Sequence, residues 1–79
     1  MPYYEFLWTD EIINHLAEHG IGREDFEEVV SNPSRISVSR SSGRPCCWGE
    51  TRDGRELFCV YEFLDEMTII PVTAYVASD

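Results

Sequence analysis

Two different hydrophobic periods divide this chain into a helical part and a sheet part. Across residues 10–31 apolar side chains recur every three to four positions, which is the period of an amphipathic helix. From residue 35 onward apolar and polar side chains alternate, as in strands that bury one face. Residues 3–8 alternate in the same way. The pattern therefore predicts a short strand, two helices and then a sheet.

Both helices are bounded by residues that typically start or stop helices. The first is predicted over residues 10–18, after Thr9, whose hydroxyl can accept a bond from a free backbone amide, and it stops at Gly20. The second stops before Pro33, because proline cannot continue the hydrogen-bond ladder. The side chains predicted to be buried on these helices are Ile12, Ile13, Leu16, Ala17, Phe26, Val29 and Val30.

Asp53 and Gly54 are a strong signal for a two-residue hairpin turn, because both residues tolerate positive φ. This turn predicts a register in which Glu50 faces Leu57, Trp48 faces Cys59 and Cys46 faces Tyr61. A five-residue loop would pair Arg40 with Cys46 and Val38 with Trp48. The predicted core face of these strands is then Ile36, Val38, Trp48, Leu57, Cys59 and Tyr61. A last strand over residues 68–76 would turn Ile70, Val72, Ala74 and Val76 to the core and leave Pro71, Thr73 and Tyr75 outward.

The expected fold is one α+β domain over residues 1–79, with the order β-α-α-β-β-β(-β) and two helices on one face of an antiparallel sheet. The apolar share is 43%, and 13% of the residues are aromatic, which is enough for a thin core. The apolar runs are too short to span a bilayer, and the first residues lack the basic start of a signal peptide. We therefore expect a cytoplasmic protein without a membrane partner.

The net charge of −9, with no lysine, excludes a general attraction to nucleic acid. The charges are nevertheless segregated along the chain. Residues 1–32 hold eight acids and one arginine, and residues 56–79 hold five acids and no base. The basic residues between these two segments are Arg35, Arg40, Arg44, Arg52 and Arg55. This region is the candidate binding surface, although five arginines with acidic neighbours could equally form ordinary surface ion pairs.

The three cysteines do not form a recognisable framework. Cys46, Cys47 and Cys59 are odd in number and lack CxxC spacing, which argues against disulfides and against a zinc site. The predicted register puts Cys46 and Cys59 on a diagonal, about 7–8 Å apart and beyond disulfide reach. We expect reduced thiols that pack in the core.

His15 and His19 are four residues apart on the first helix, so they could in principle share a metal or act as acid and base. The glutamate of HExxH is missing, and His19 stands next to the helix-ending Gly20. The pattern favours a helix-end role for His19 and predicts neither a metal nor another cofactor.

Several motifs in the same order resemble the BrnT-like toxins of bacterial type II toxin–antitoxin systems, small ribonucleases of the RelE/ParE-like group. The matching segments are Phe6-Leu7-Trp8-Thr9-Asp10-Glu11, Asn14-His15-Leu16-Ala17-Glu18-His19-Gly20-Ile21, Phe26-Glu27-Glu28-Val29-Val30 with Asn32-Pro33, Gly49-x-Thr51-x-x-Gly54-Arg55-x-Leu57 followed by Val60-Tyr61, and Ile70-x-Val72-x-Ala74. Glu18 stands where the family has a lysine, and Tyr75 where it has an arginine.

The resemblance implies a metal-independent endoribonuclease that is held in check by an antitoxin protein and takes RNA as substrate. Its candidate catalytic residues are His19, Arg44, Arg55 and Tyr75, with Tyr75 as a substitute acid. Its candidate RNA-binding residues are Arg40, Arg44, Arg52 and Arg55. The alternative is a non-catalytic protein-interaction module of the same fold, whose arginine face binds an acidic partner segment.

Overall fold

Seven elements follow one another along the chain in a computed structural model that describes residues 4–41 and 43–77. They are β1 (Glu5–Phe6), α1 (Asp10–Glu18), α2 (Arg23–Ser31), β2 (Arg35–Val38), β3 (Pro45–Glu50), β4 (Glu56–Phe63) and β5 (Thr68–Val76). The α+β class is confirmed. The predicted parts that fall on Tyr3, in the first strand, and on Ser42, in the loop, lie outside the described residues.

The sheet has the strand order β1-β5-β4-β3-β2 and is mixed. β2 to β5 are antiparallel neighbours, but β1 runs parallel to β5, with Glu5 opposite Thr68 and Phe6 opposite Ile69. The prediction of a wholly antiparallel sheet is therefore wrong. No hairpin fixes the direction of β1, because both helices and three strands intervene before its partner.

The β3–β4 hairpin differs by one residue from the predicted register. Thr51 N–H donates to the Arg55 carbonyl at 2.8 Å, and Gly54 has φ +88°, so the turn contains three residues rather than two. The predicted pairs of Glu50 with Leu57, Trp48 with Cys59 and Cys46 with Tyr61 are wrong. The observed pairs are Glu50 with Glu56, Trp48 with Phe58, Cys47 with Cys59 and Cys46 with Val60. Because side chains alternate along a strand, the shift moves Trp48 to the face opposite the core.

β2 is an edge strand whose apolar side chains are uncovered. Ile36 lies opposite Cys47 and Val38 opposite Pro45, so the predicted pairs of Arg40 with Cys46 and Val38 with Trp48 are wrong. Ile36 is 67% exposed and Val38 is 61% exposed, although both were predicted to be core residues. The helix beside this end of the sheet, α2, packs on β3 and β4 instead.

A bulge in β5 changes which side chains of that strand face the core, compared with the prediction. Val60 lies opposite Thr73 and Tyr61 opposite Pro71, so Val72 has no partner in β4. Ala74 is buried as predicted, but Pro71 is also fully buried, and Ile70 and Val72 are only partly buried. Val76, which was predicted to face the core, is exposed at the end of the strand. Proline is tolerated here because it lies at the bulge, just beyond the two residues that pair with β1.

The core lies between the helices and one face of the sheet. α1 packs against β5, and α2 packs against β3 and β4. The buried cluster contains Leu16, Ile21, Phe26, Val29, Val30, Cys47, Leu57, Cys59, Tyr61, Ile69 and Ala74. No helix among the described residues has the length and apolar character needed to cross a bilayer.

Candidate functional site

A row of aromatic side chains crosses the sheet on the face opposite the core. Trp48, Phe58 and Tyr75 are direct neighbours on β3, β4 and β5. The Trp48 and Phe58 ring centroids are 4.8 Å apart, and those of Phe58 and Tyr75 are 5.1 Å apart. Trp48 and Phe58 are half-buried, whereas Tyr75 is 48% exposed. We call Trp48, Phe58 and Tyr75, together with Arg35 of β2, the aromatic row. The face of the sheet that carries these residues is called the open face.

Arg35 completes the row on β2. It pairs with Trp48 across the strands, and its guanidinium carbon lies 4.3 Å from the centre of the Trp48 ring. A guanidinium over an indole is held by the ring quadrupole, and its N–H groups remain available at the rim. The row therefore combines a positive charge with aromatic rings that are inclined to one another by 45–50°.

Beside the aromatic row, the open face carries polar side chains at its β3–β4 end and at its β5 end. Arg44 Nε donates to Glu62 Oε1 at 2.6 Å, and both side chains are close to half-exposed. At the β5 end, His15 Nε2 lies 3.0 Å from Thr73 Oγ1. Cys46 and Val60 are buried between these polar ends. Arg44 and His15 thus lie at the two ends of the part of the open face that adjoins the aromatic row.

His19 lies beside this region but not in the sheet. It caps the C-terminus of α1 with its backbone N–H, as its place before Gly20 suggests, and its side chain is exposed. Its ring centre is 5.3 Å from that of His15, with the rings nearly perpendicular. Of the two histidines, His15 is therefore the one that reaches the open face.

Arg55 lies on the core side of the hairpin and is surrounded by acceptors. It donates to the Gly20 carbonyl at 2.8 Å, to Asp25 at 3.1 Å and to both oxygens of Asp53. The hydrogen bond from Thr51, followed by that from Arg55, holds the pKa of Asp53 below its usual value. Arg55 therefore fastens the hairpin to the start of α2 and does not join Arg44.

The remaining predicted arginines do not converge either. Arg52 pairs with Glu28 of α2 at 3.2 Å, and its side chain is 91% exposed. Arg40 is exposed in the turn between β2 and β3. The structure thus brings Arg44 and Tyr75 to one face, has His19 at its border, and leaves Arg52 and Arg55 against α2.

The cysteines are free and buried, and Cys47 rather than Cys46 is the close neighbour of Cys59. The predicted diagonal of Cys46 and Cys59 is corrected by the same one-residue shift. Hydrogen bonding with Cys47, together with burial, raises the pKa of the Cys59 thiol far above its ordinary value. Burial also raises the pKa of Cys46, so these two thiols are poor nucleophiles.

The described residues contain no group of three or more His, Cys, Asp or Glu side chains that could hold a metal ion. Comparisons with protein-family models, curated proteins and solved structures find no match to this chain.

Sequence reasoning missed the aromatic row because the hairpin register was one residue off. The available signal was Gly54: a glycine at the third loop position, after Arg52 and Asp53, is typical of the three-residue turn with a glycine bulge. That turn pairs Trp48 with Phe58 and would have revealed the row.

Proposed function

We propose that this protein is a BrnT-like member of the RelE/ParE-like group that binds single-stranded RNA on the open face and cleaves it without a metal. The aromatic row is the observation that carries the proposal. Its three rings and the guanidinium of Arg35 are in contact with one another across four strands, and Tyr75 is half-exposed at one end of the row, where a base could stack on it.

For a protein with a net negative charge, base stacking is a more suitable source of RNA affinity than electrostatic attraction is. Each base stacked on an aromatic side chain contributes about 1–3 kcal/mol, independently of sequence. The open face holds Arg35 and Arg44 beside Glu50, Glu56 and Glu62, so it cannot attract a polyanion strongly by charge. We therefore expect weak binding with a shallow salt dependence and a preference for unpaired bases.

Cleavage would use the RNA's own 2′-hydroxyl. This oxygen attacks the adjacent phosphorus, the bond from phosphorus to the 5′-oxygen breaks, and a 2′,3′-cyclic phosphate and a 5′-hydroxyl form. One group must accept the 2′-hydroxyl proton, and another must protonate the leaving 5′-oxygen. We assign the first role to His15, with His19 behind it, and the second to Tyr75. Arg44 would turn from Glu62 to the phosphate and stabilise its charge.

Regulated expression in a bacterial host tests the proposal, with growth and total RNA integrity followed together. We expect the wild type to arrest growth and degrade RNA, and Arg44→Ala and Tyr75→Phe to lose both effects. Arg23→Ala removes an equal charge from the exposed start of α2 and is the matched control. RNA decay that persists in Arg44→Ala would place the activity elsewhere.

Binding can be separated from cleavage with a fluorescent single-stranded RNA and the purified protein. Stacking predicts quenching of Trp48 fluorescence, weaker binding by Tyr75→Ala, and little binding of duplex RNA. Equal affinity for duplex and single strand would contradict the stacking surface.

A second candidate function is a non-catalytic protein-interaction module. It is favoured by the ion pairs of Arg52 with Glu28 and of Arg55 with Asp25 and Asp53, because these pairs engage two of the predicted RNA-binding residues within the protein. Aromatic and arginine side chains are also common at the centres of protein interfaces. Normal growth with intact RNA at high expression would favour this function over the ribonuclease.

A further inference from the structure

The outer edge of β2 has the features of a strand that accepts another strand. β2 is the last strand of the sheet on its side, and β3 is its only partner among the described residues. It is a regular four-residue strand without lysine, proline or a bulge. Lysine, proline and bulges are among the features by which edge strands avoid pairing with other chains.

The hydrogen-bond phase shows which backbone groups of β2 are free to pair. Ser39 N–H donates to the Arg44 carbonyl at 2.8 Å, so the backbone groups of Ser39 point toward the strand that follows. Because the phase alternates along an antiparallel pair, the inward groups of β2 itself belong to Ser37 and Arg35. The N–H and C=O groups of Ile36 and Val38 then point away from the sheet.

The same two residues carry the exposed apolar side chains of β2. Ile36 and Val38 are more than half exposed on the core side of the sheet, beyond the cover of α2. A strand paired with their backbone would place its own side chains beside them, because neighbours across strands share a face. Apolar residues at alternate positions of the incoming strand would be favoured.

The charged residues around β2 indicate which side chains the incoming strand carries on the open face. Residues 33–50 hold Arg35, Arg40 and Arg44 against Glu50 alone, in a chain of net charge −9. Arg35 faces the open face from β2, and Arg40 is exposed just after the strand. A second copy of this acidic chain fits poorly, whereas acidic side chains on an incoming strand would meet these arginines.

We propose that β2 is the docking edge for an extended segment of a partner protein in which apolar and acidic residues alternate. The segment adds a sixth strand, bonds to the backbone of Ile36 and Val38, and turns its acidic side chains to Arg35 and Arg40. This inference does not rest on RNA binding, because the outer edge of β2 and the aromatic row share only Arg35.

A short fluorescent peptide of alternating valine and glutamate is the probe, with fluorescence anisotropy as the readout. We expect saturable binding by the wild type that weakens as salt is raised. Val38→Pro removes an outward N–H that no neighbouring strand uses, so the fold should survive while the affinity falls roughly tenfold. Circular dichroism of Val38→Pro verifies that the sheet is intact.

Charge reversal tests the acidic preference. Arg40→Glu should weaken binding of the glutamate peptide and improve binding of the same peptide with lysine for glutamate. Arg23→Glu makes an equal change of charge at the far end of α2 and should bind like the wild type. No saturable binding by the wild type, or undiminished binding by a folded Val38→Pro, would overturn the proposal. So would a dimer in analytical ultracentrifugation that Val38→Pro abolishes, because a second copy would then occupy the edge.

Discussion

Arg55 is the residue whose role depends most on its surroundings. Its guanidinium spans the hairpin, the end of α1 and the first turn of α2 through bonds to Asp53, Gly20 and Asp25. We expect Arg55→Ala to lower the thermal midpoint by several degrees, and Arg55→Lys to recover little of it, because an ammonium cannot reproduce the planar fork. Arg52→Ala is the control, since the exposed single pair with Glu28 contributes little. Equal midpoints for Arg52→Ala and Arg55→Ala would contradict this role.

Tyr61 gives the stability a dependence on alkaline pH. Burial, followed by the nearby Cys47, raises the pKa of Tyr61 to about 12. The folded state holds this proton more tightly than the unfolded chain, whose tyrosine has a pKa of about 10. The stabilisation is therefore full below pH ~10 and is lost between about 10 and 12, which amounts to about 1–2 kcal/mol.

Ultraviolet absorbance follows the ionisation of tyrosine and checks this value. One phenol should titrate near pH 12 and be missing in Tyr61→Phe, and urea unfolding of that variant should show a smaller loss of stability in the same range. A wild type in which no phenol titrates near pH 12 would show that Tyr61 is exposed to water.

At the scale of the elements, one glycine sets the register of the hairpin and so the face of every side chain in β3. Gly54 has φ +88°, and a Cβ there would meet no atom within 4 Å, so only the backbone conformation requires glycine. We expect Gly54→Ala to destabilise the protein by about 1 kcal/mol and Gly54→Asn by less, because asparagine tolerates positive φ. Urea denaturation measures both. Equal effects would show that the turn does not depend on this conformation.

The same elements show what the sequence could predict. The positions of the helices were predicted correctly because their caps and apolar stripes are local, and Thr9 indeed accepts the Ile12 N–H. The prediction that Ala17 is buried was wrong, because α1 turns Leu16 rather than Ala17 into the core. The strand registers were wrong because they depend on single residues in turns and bulges: the third turn residue before Arg55, and Val72 in β5. The pairing of β1 with β5 has no local signal, and neither do the ion pairs that hold Arg55 against α2.

At the scale of the whole molecule, the net charge of −9 produces a self-repulsion that salt should relieve. The acidic side chains of α2 contribute to it, since Glu24, Asp25, Glu27 and Glu28, with Ser31 and Arg52, line a shallow groove of about 730 Å³. Ion pairs with Arg52 and Arg55 offset the charge of Glu28 and Asp25. We expect the thermal midpoint to rise as sodium chloride is added, and to rise less in Glu24→Gln, in which the repulsion is already reduced. A midpoint that falls with salt would show that the ion pairs outweigh the repulsion.

The position of β5 between β1 and β4 has a consequence for synthesis on the ribosome. Its residues follow those of every other element, yet it must insert between two strands that are already made. Until it does, β1 lacks its partner and β4 has an open side. At a synthesis rate of about 5–20 residues per second, the preceding elements wait for seconds with apolar surface exposed. We therefore expect β1 and the free side of β4 to be exposed to chaperones until β5 pairs with both strands.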